Sequence, residues 1–482
     1  MSSTLPNLIP ALPEIFVLFM ALVILMVGIF FVRYSQILYY LAQITLVVVF
    51  LLTWRVFSVS EFSERIFTFH CLFVLDYLSV YLKLFIYLAV FFTFLYAREY
   101  NQERKIPVTE FYVLGLLSLL GMMVLVSSHN LIMVFLGLEL FSLPTYAMVA
   151  MERRKTHCVE AGMKYFVIGA IASGMLIYGM SMVFGATRSL DLTEIAAAVS
   201  QTPVHQNLIL VFGLVFMIAG IAFKVGAAPF HIWIPDVYEG APSSVTLFIS
   251  TAPKIAAFAM VIRLLVNAMP ALQGQWHQVL VVVAILSMGI GNFAAIAQSN
   301  IKRMLAYSSI AHMGYMLLGV LCGTKEGYVA AMFYIITYSF MTLGGFGMVI
   351  LMSRSGFEAE NIKDFAGLND RNPWLAFMMM LTLFSLAGLP PLVGFIAKVG
   401  VLDALIKVHL VWLAVLAVLF AIVGTYYYIR VVKVMYFENS ALPLEPIQYS
   451  LEMKIAISIN GLAVLFIGIF PGWLYALSYL AF

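Results

Sequence analysis

Seven ionisable residues stand where the surrounding sequence is apolar: Glu139, Lys224, Lys254, His312, Lys398, Lys164 and Lys83. A charge at membrane depth costs at least ~2.5–3.5 kcal/mol on insertion scales, so such groups default to proton or ion pathways. Lys224 lies in GIAFKVGAAPFHIWIPDVYEGAP (220–242), five residues before Pro229. A proline within a helix removes the donor for the carbonyl four residues back, here Val225, where lipid offers no water to replace it. A lysine beside such a break is expected in a polar cavity of a discontinuous helix; snorkelling to the interface is the competing reading. Lys398 follows Gly388-Leu389-Pro390-Pro391, which frees the carbonyls of Leu386 and Ala387 in the same way. Lys254 comes directly after Pro253 at the centre of its apolar run, too deep to snorkel easily.

Glu139, in LGLELFSLP, is the carboxylate expected deepest in the membrane; a protonated, hydrogen-bonded bundle residue is the alternative. His312, in YSSIAHMGY between Tyr307 and Tyr315, offers an imidazole that titrates near neutrality and suits a relay; a satisfied core histidine is the alternative. Ser308, Ser309 and Tyr426-Tyr427-Tyr428 are expected to hold water nearby. Lys164 lies only a turn or two into its run, where snorkelling or a structural pair competes with a relay role. Lys83 stands apart from the rest and reads as a structural or interfacial charge.

The elements that position these groups follow from composition. The chain is 63% hydrophobic and 10% charged, against ~25% charged in soluble domains, and its mean hydropathy is +1.03. It is expected to be an all-α polytopic membrane protein of about 14 helices, with the seventh span near 207–229, the eighth near 242–266, the twelfth near 373–406 and the last near 451–480. Spans seven and twelve are the interrupted ones, and five spans separate them. That spacing suggests two inverted five-helix repeats, spans 4–8 and 9–13. The expected divisions are an N-terminal three-helix segment (1–109), two half-channels (110–266 and 277–436) and a C-terminal helix (437–482). The longest connections, near 55–71, 185–206 and 354–372, are expected to be loops.

Of 26 Lys and Arg, fifteen fall on one side of the spans, six on the other and five inside them. The richer side is expected to be cytoplasmic, with both termini outside the cell membrane. Residues 1–11 hold no Lys or Arg, so the first apolar run is expected to be a retained span. A net charge of +3 gives no reason to expect nucleic acid or an acidic substrate. Cys71, Cys158 and Cys322 lie too far apart for a disulfide framework, metal site or iron–sulfur ligation. Gly289-Ile290-Gly291-Asn292-Phe293-Ala294 matches GxGxxA but follows no strand, and is read as helix packing.

Four stretches together carry a resemblance: GLELFSLPTY (137–146), FKVGAAPFHIWIPDVYEGAP (223–242), SNIKRMLAYSSIAHMGY (299–315) and GLPPLVGFIAK (388–398). They resemble the antiporter-like proton-channel family, membrane subunits of the bacterial NADH–quinone oxidoreductase (respiratory complex I, NDH-1). Lysine rather than glutamate at 398, and the lack of a C-terminal lateral helix, favour one branch of that family over its L- and M-type relatives. The resemblance implies that Glu139 and Lys224 form the charge pair of the first half-channel. It makes Lys254 the link to the centre, His312 the relay and Lys398 the residue of the second half-channel; Lys164 matches a family lysine, whereas Lys83 matches none. It implies that FMN, iron–sulfur clusters and the quinone site belong to partner subunits, with no cofactor in this chain. The partners implied are L- and M-type and small membrane-arm subunits, in a cell (inner) membrane. An Mrp-type monovalent cation/proton antiporter subunit, on the same frame, is the competing reading.

Overall fold

A computed structural model describes residues 7–30, 35–59, 65–201, 207–353, 357–439 and 449–482. In hydrocarbon a backbone must satisfy its own polar groups, and the apolar runs do so as helices. In chain order these are α1 (Leu12–Phe30), α2 (Ser35–Val59), α3 (Tyr77–Glu103), α4 (Val108–Val126), α5 (Leu131–Val149), α6 (Thr156–Thr187) and α7 (Leu192–Gln201). Then come α8 (Leu208–Val225), α9 (Trp233–Gly240), α10 (Ser243–Ser250), α11 (Ala252–Val261), α12 (Gln273–Ile296), α13 (Ile301–Leu321) and α14 (Lys325–Met352). The last are α15 (Leu368–Arg371), α16 (Pro373–Ala387), α17 (Val393–Lys407), α18 (Val411–Phe437), α19 (Leu451–Ile469) and α20 (Gly472–Leu480). A short antiparallel hairpin, β1 (Ile66–Thr68) and β2 (Phe73–Leu75), pairs Ile66 with Leu75 between α2 and α3.

Among the described residues, 13 helical stretches are long and apolar enough to cross a membrane. The remaining expected span, 373–406, is the pair α16 and α17, of 15 residues each. The stretches Ser243–Asn267, Ile301–Leu321 and Lys325–Met352 are buried over 100%, 94% and 94% of their apolar windows, against 33% for those of α1 and α18. The core therefore lies along α10, α11, α13 and α14, the helices that carry or flank the breaks.

Three expectations change. Span eight is not continuous: α10 stops at Ser250, Thr251 leaves the helical region (φ −116°, ψ −89°), and α11 starts anew with Pro253 in its first turn. The three connections expected to be loops carry elements: 185–206 holds α7, 354–372 holds α15 and 55–71 holds β1. The last span divides at Pro471 into α19 and α20. Arg33 and Arg354, two of the fifteen basic residues counted on one side, lie outside the described residues. The Gly289–Ala294 run sits inside α12, where it packs on α13.

Buried ion pairs fix the frame. Asp76 caps α3 by accepting from the Ser79 amide at 2.9 Å, and both its oxygens take the Arg263 guanidinium at 2.8 Å. Arg263 reaches it from a π-helical turn, Ile262–Asn267, that ends span eight. Lys83 is wholly buried, not interfacial, and pairs with Glu14 of α1 at 2.5 Å. Removing one partner of such a buried pair typically costs 3–5 kcal/mol.

On the opposite side, Glu358 ties α3 to α10. Its Oε1 accepts from the hydroxyls of Tyr100 and Ser243, each at 2.7 Å, and its Oε2 pairs with Arg104 at 2.7 Å. Burial alone would raise this carboxyl, but Lys302, Tyr100, Arg104 and Ser243 outweigh it and hold it below the usual carboxylate range. Such a group stabilises the fold above its unfolded value of ~4.3, and that contribution is lost as pH falls through the native value. Glu358→Gln is therefore expected to destabilise by about 1.5–3 kcal/mol at neutral pH. Denaturation curves of wild type and variant should converge on acidification below the native value; an undiminished gap there would contradict this assignment.

Candidate proton-transfer site

The site is built from helix ends. In α8 the amides of Gly226 and Ala227 both donate to the Ala222 carbonyl at 2.8 Å, which closes the helix. Pro229 then has no N–H for Val225, and the Val225 carbonyl accepts instead from Lys254 Nζ at 2.7 Å. The Phe223 carbonyl takes the Trp233 indole N–H at 3.1 Å, and the Ala228 amide donates to Ser287 Oγ at 2.8 Å. Every one of these substitute partners comes from another element, so the break is held open by tertiary structure.

The second break repeats the pattern. In α16 the amides of Gly388 and Leu389 both donate to the Phe384 carbonyl at 3.0 Å. Pro390 and Pro391 free the carbonyls of Leu386 and Ala387, and Lys398 Nζ donates to them at 3.2 and 2.7 Å. The capping glycines, Gly226 and Gly388, have φ of +85° and +87°, a region other L-residues rarely adopt. Both breaks contain a cis X–Pro bond, Ala228–Pro229 and Pro390–Pro391. The partial negative charge of each helix C-terminus adds to the attraction for the ammonium. In the first break the lysine is on the following span; in the second it is on the second half of the same span.

Lys224 is buried and turns away from the break. Its ammonium donates to Ser142 Oγ at 2.8 Å and to the Tyr146 hydroxyl at 3.0 Å, both on α5. Glu139, one turn earlier on α5, is only half-buried and accepts from Ser173 Oγ of α6 at 2.5 Å. Glu139 and Lys224 thus share a face of α5 through Ser142 without forming an ion pair within 4 Å.

His312 is buried between two tyrosines. Its Nδ1 lies 2.7 Å from the Tyr334 hydroxyl and its Nε2 3.1 Å from that of Tyr428, which also bonds Ser308. A neutral imidazole donates from one nitrogen and accepts at the other. Reversing both hydroxyls along with the tautomer therefore moves a proton from one side of the ring to the other. Tyr315 stacks with Tyr334 at a centroid distance of 6.1 Å, and its ring lies 5.2 Å from Lys398 Nζ, so this aromatic pair joins the two sites. Of the tyrosine run, Tyr427 bonds Asn292 and Tyr428 bonds His312, whereas Tyr426 is exposed on the outer face.

Lys164 stands apart from this row. It is exposed near the basic side and pairs with Glu160 at 2.8 Å and Asp236 at 3.0 Å. Asp236 also takes Arg303 of α13 at 2.9 Å, so one carboxylate of α9 bridges α6 and α13. Lys164, Glu160 and Asp236 line a cavity of about 270 Å³ with Glu239, Glu360 and His157. Tyr165, stacked on Trp233 at 4.5 Å, and Tyr146, edge-on to Tyr165 at 4.5 Å, connect that wall to Lys224. Among the described residues no group of three or more His, Cys, Asp or Glu is arranged to hold a metal ion.

The sequence profile described as "NADH:quinone oxidoreductase/Mrp antiporter, TM" matches residues 128–424, more than half the chain. The chain belongs to the NADH:quinone oxidoreductase/Mrp antiporter family. Within the family, a Coxiella burnetii protein named "NADH-quinone oxidoreductase subunit N" is 80% identical over 482 residues, 100% of both chains. A chain of respiratory complex I from Thermus thermophilus superposes with TM-score 0.81 at 28% identity, over 97% of this chain and 100% of that one. A chain of the Mrp complex from Dietzia sp. superposes with TM-score 0.84 at 19% identity, over 98% and 97%, a likeness of fold alone. Both breaks, with Lys224, Lys254, His312 and Lys398, fall inside the profile match.

Sequence reasoning did not find the partners Ser142, Tyr146, Ser173 and Tyr334. Ser142 and Tyr146 were within reach, because positions 139, 142 and 146 share one helix face. Ser173 and Tyr334 come from other helices. The capping glycines give a direct test. A Cβ on Gly388 would lie 2.8 Å from Lys398 Cδ, and one on Gly226 would lie 2.1 Å from Ile234 Cδ1 and 2.8 Å from Lys254 Nζ. Gly388→Ala and Gly226→Ala should each destabilise by at least about 1–2 kcal/mol from the backbone alone. Gly274→Ala, with open space around it, should leave the unfolding temperature unchanged. Equal melting of all three variants would mean the caps are not strained positions.

Proposed function

We infer that this chain is the antiporter-like membrane-arm subunit N of an NADH–quinone oxidoreductase, which couples electron transfer from NADH to quinone to proton movement across the membrane. The observation that carries the reading is the repeated one: two helices broken inside the membrane, each ending on carbonyls held by a buried lysine, with a histidine between two tyrosines in the core. Full-length relatives bearing that name, 80% identical in one case, support it over an Mrp-type antiporter, for which the likeness is of fold. Its partners are other membrane-arm subunits. Glu139 agrees with that, since it lies on α5 between Leu136 and Leu143, which are 52% and 53% exposed. A carboxylate on an open apolar face needs a covering neighbour.

The proposed path starts at Glu139 and Lys224, passes to Lys254, crosses His312 and ends at Lys398, with Lys164 at the basic-side mouth. At ~4 Å the Glu139 and Lys224 charges would attract by roughly 4 kcal/mol at an effective dielectric of ~20, counted from infinite separation, so closing the gap across Ser142 gains a part of that. Movement of Lys224 between Ser142 and Glu139 is then the switch, driven by electron transfer elsewhere in the complex. The buried hydroxyls of Tyr238, Ser309 and Tyr338 lie together, with Ser309 beside both tyrosines, and support a polar connection between Lys254 and His312. The flavin, iron–sulfur clusters and quinone site are assigned to partner subunits. The basic side is assigned to the cytoplasm and both termini to the outer side.

Lys224→Ala is expected to depress proton pumping, and Glu139→Gln, nearly isosteric, should do the same because the charge is what matters. Glu139→Asp should retain part of the activity. Proton uptake by vesicles, measured beside NADH oxidation in assembled variant complexes, reads the effect. Wild-type proton-to-electron ratios in Lys224→Ala and Glu139→Gln would make both residues structural.

A further inference from the structure

A second built feature lies outside the proton path. On the side richer in Lys and Arg, the turn joining α3 to α4 and the turn joining α5 to α6 face each other across a cavity of about 830 Å³. Arg104 and Lys105 come from the first turn, and Arg153, Arg154 and Lys155 from the second. Two of these cations are already engaged: Arg104 with Glu358 at 2.7 Å and Lys155 with Glu152 at 2.5 Å. Lys105, Arg153 and Arg154 are exposed, and among the described residues no carboxylate oxygen lies within 4 Å of them. One further carboxylate, Glu110, lines the cavity. Three cations against one carboxylate leave two positive charges, divided between two loops. The N-termini of α4 and α6 and the C-termini of α3 and α5 meet at these two turns, so the helix dipoles largely cancel and the field is that of the side chains. Below the charged rim the wall turns apolar, with Leu114, Ala147 and Met151.

We propose that this cavity binds the headgroup of a two-phosphate, cardiolipin-type phospholipid, with its acyl chains running down the apolar wall. Basic pockets between transmembrane helices recognise such headgroups by charge at the interface. The two charge sets suit two phosphates better than one, and the apolar wall suits a lipid better than a free anion. A soluble phosphate would gain nothing from Leu114, Ala147 or Met151.

The test uses the assembled, detergent-purified complex and cardiolipin in mixed micelles, with phosphatidylglycerol, phosphatidylcholine and inorganic phosphate as comparison probes. A cation near an anionic headgroup contributes about a fivefold factor in affinity. The triple variant Lys105→Gln, Arg153→Gln, Arg154→Gln should therefore hold cardiolipin about a hundredfold more weakly, and Arg154→Gln alone about fivefold. The triple variant Lys363→Gln, Lys433→Gln, Lys454→Gln removes equal charge from elsewhere and should bind as wild type. Phosphatidylglycerol should bind more weakly than cardiolipin, and phosphatidylcholine not at all. Unchanged cardiolipin affinity in the first triple variant would overturn the assignment. So would displacement of cardiolipin by equimolar inorganic phosphate, or a partner polypeptide filling the cavity in the complex. If the first triple variant fails to assemble, the fivefold loss in Arg154→Gln decides the matter.

Discussion

A helix that stops inside a membrane leaves carbonyl groups facing a medium that cannot hydrogen-bond them, and this structure is arranged around supplying those partners. It does so twice, and each time the partner is a lysine ammonium. The two needs are complementary. An ammonium at that depth needs acceptors, and a broken helix offers carbonyls at the negative end of its dipole. Lys254 on Val225, and Lys398 on Leu386 and Ala387, satisfy both at once. Carbonyls, unlike a carboxylate, hold the ammonium without a full countercharge.

That arrangement requires a rigid surround, since neither the break nor the cation is stable alone. Substitute partners arrive from neighbouring helices: the Trp233 indole N–H donates to the Phe223 carbonyl, and Ser287 Oγ accepts from the Ala228 amide. Ion pairs hold the elements that deliver them. Arg263 with Asp76 ties span eight to α3, and Glu14 with Lys83 ties α1 to α3. On the basic side Asp236 and Glu358 do similar work between α6, α9, α13, α3 and α10. Lys224 is the exception within the core. It rests on two neutral hydroxyls, those of Ser142 and Tyr146, rather than on freed carbonyls.

Much of this was legible in the sequence because proline acts locally. Pro229, Pro390 and Pro391 name the carbonyls they free, and those carbonyls are the ones the lysines hold. The spans were legible from composition, and the isolated lysines marked themselves by their cost. What was not legible depends on distance along the chain. Arg263 meets Asp76 across 187 residues and Lys83 meets Glu14 across 69, and nothing local in either segment names the other. The break at Thr251 was missed for a different reason. Pro253 lies inside one continuous apolar run, which hides that a proline in the first turn of a helix marks a new start.

The central claim is that Lys254 and Lys398 are proton carriers and not merely caps on helix ends. Arginine separates the two roles: it donates to carbonyls as well as lysine does but cannot be deprotonated in a protein. The decisive measurement is the proton-to-electron ratio of assembled complexes carrying Lys254→Arg or Lys398→Arg, in sealed vesicles during NADH oxidation. A carrier role predicts that these variants assemble but translocate fewer protons per electron. A wild-type ratio in both would show that the lysines serve only to close the broken helices.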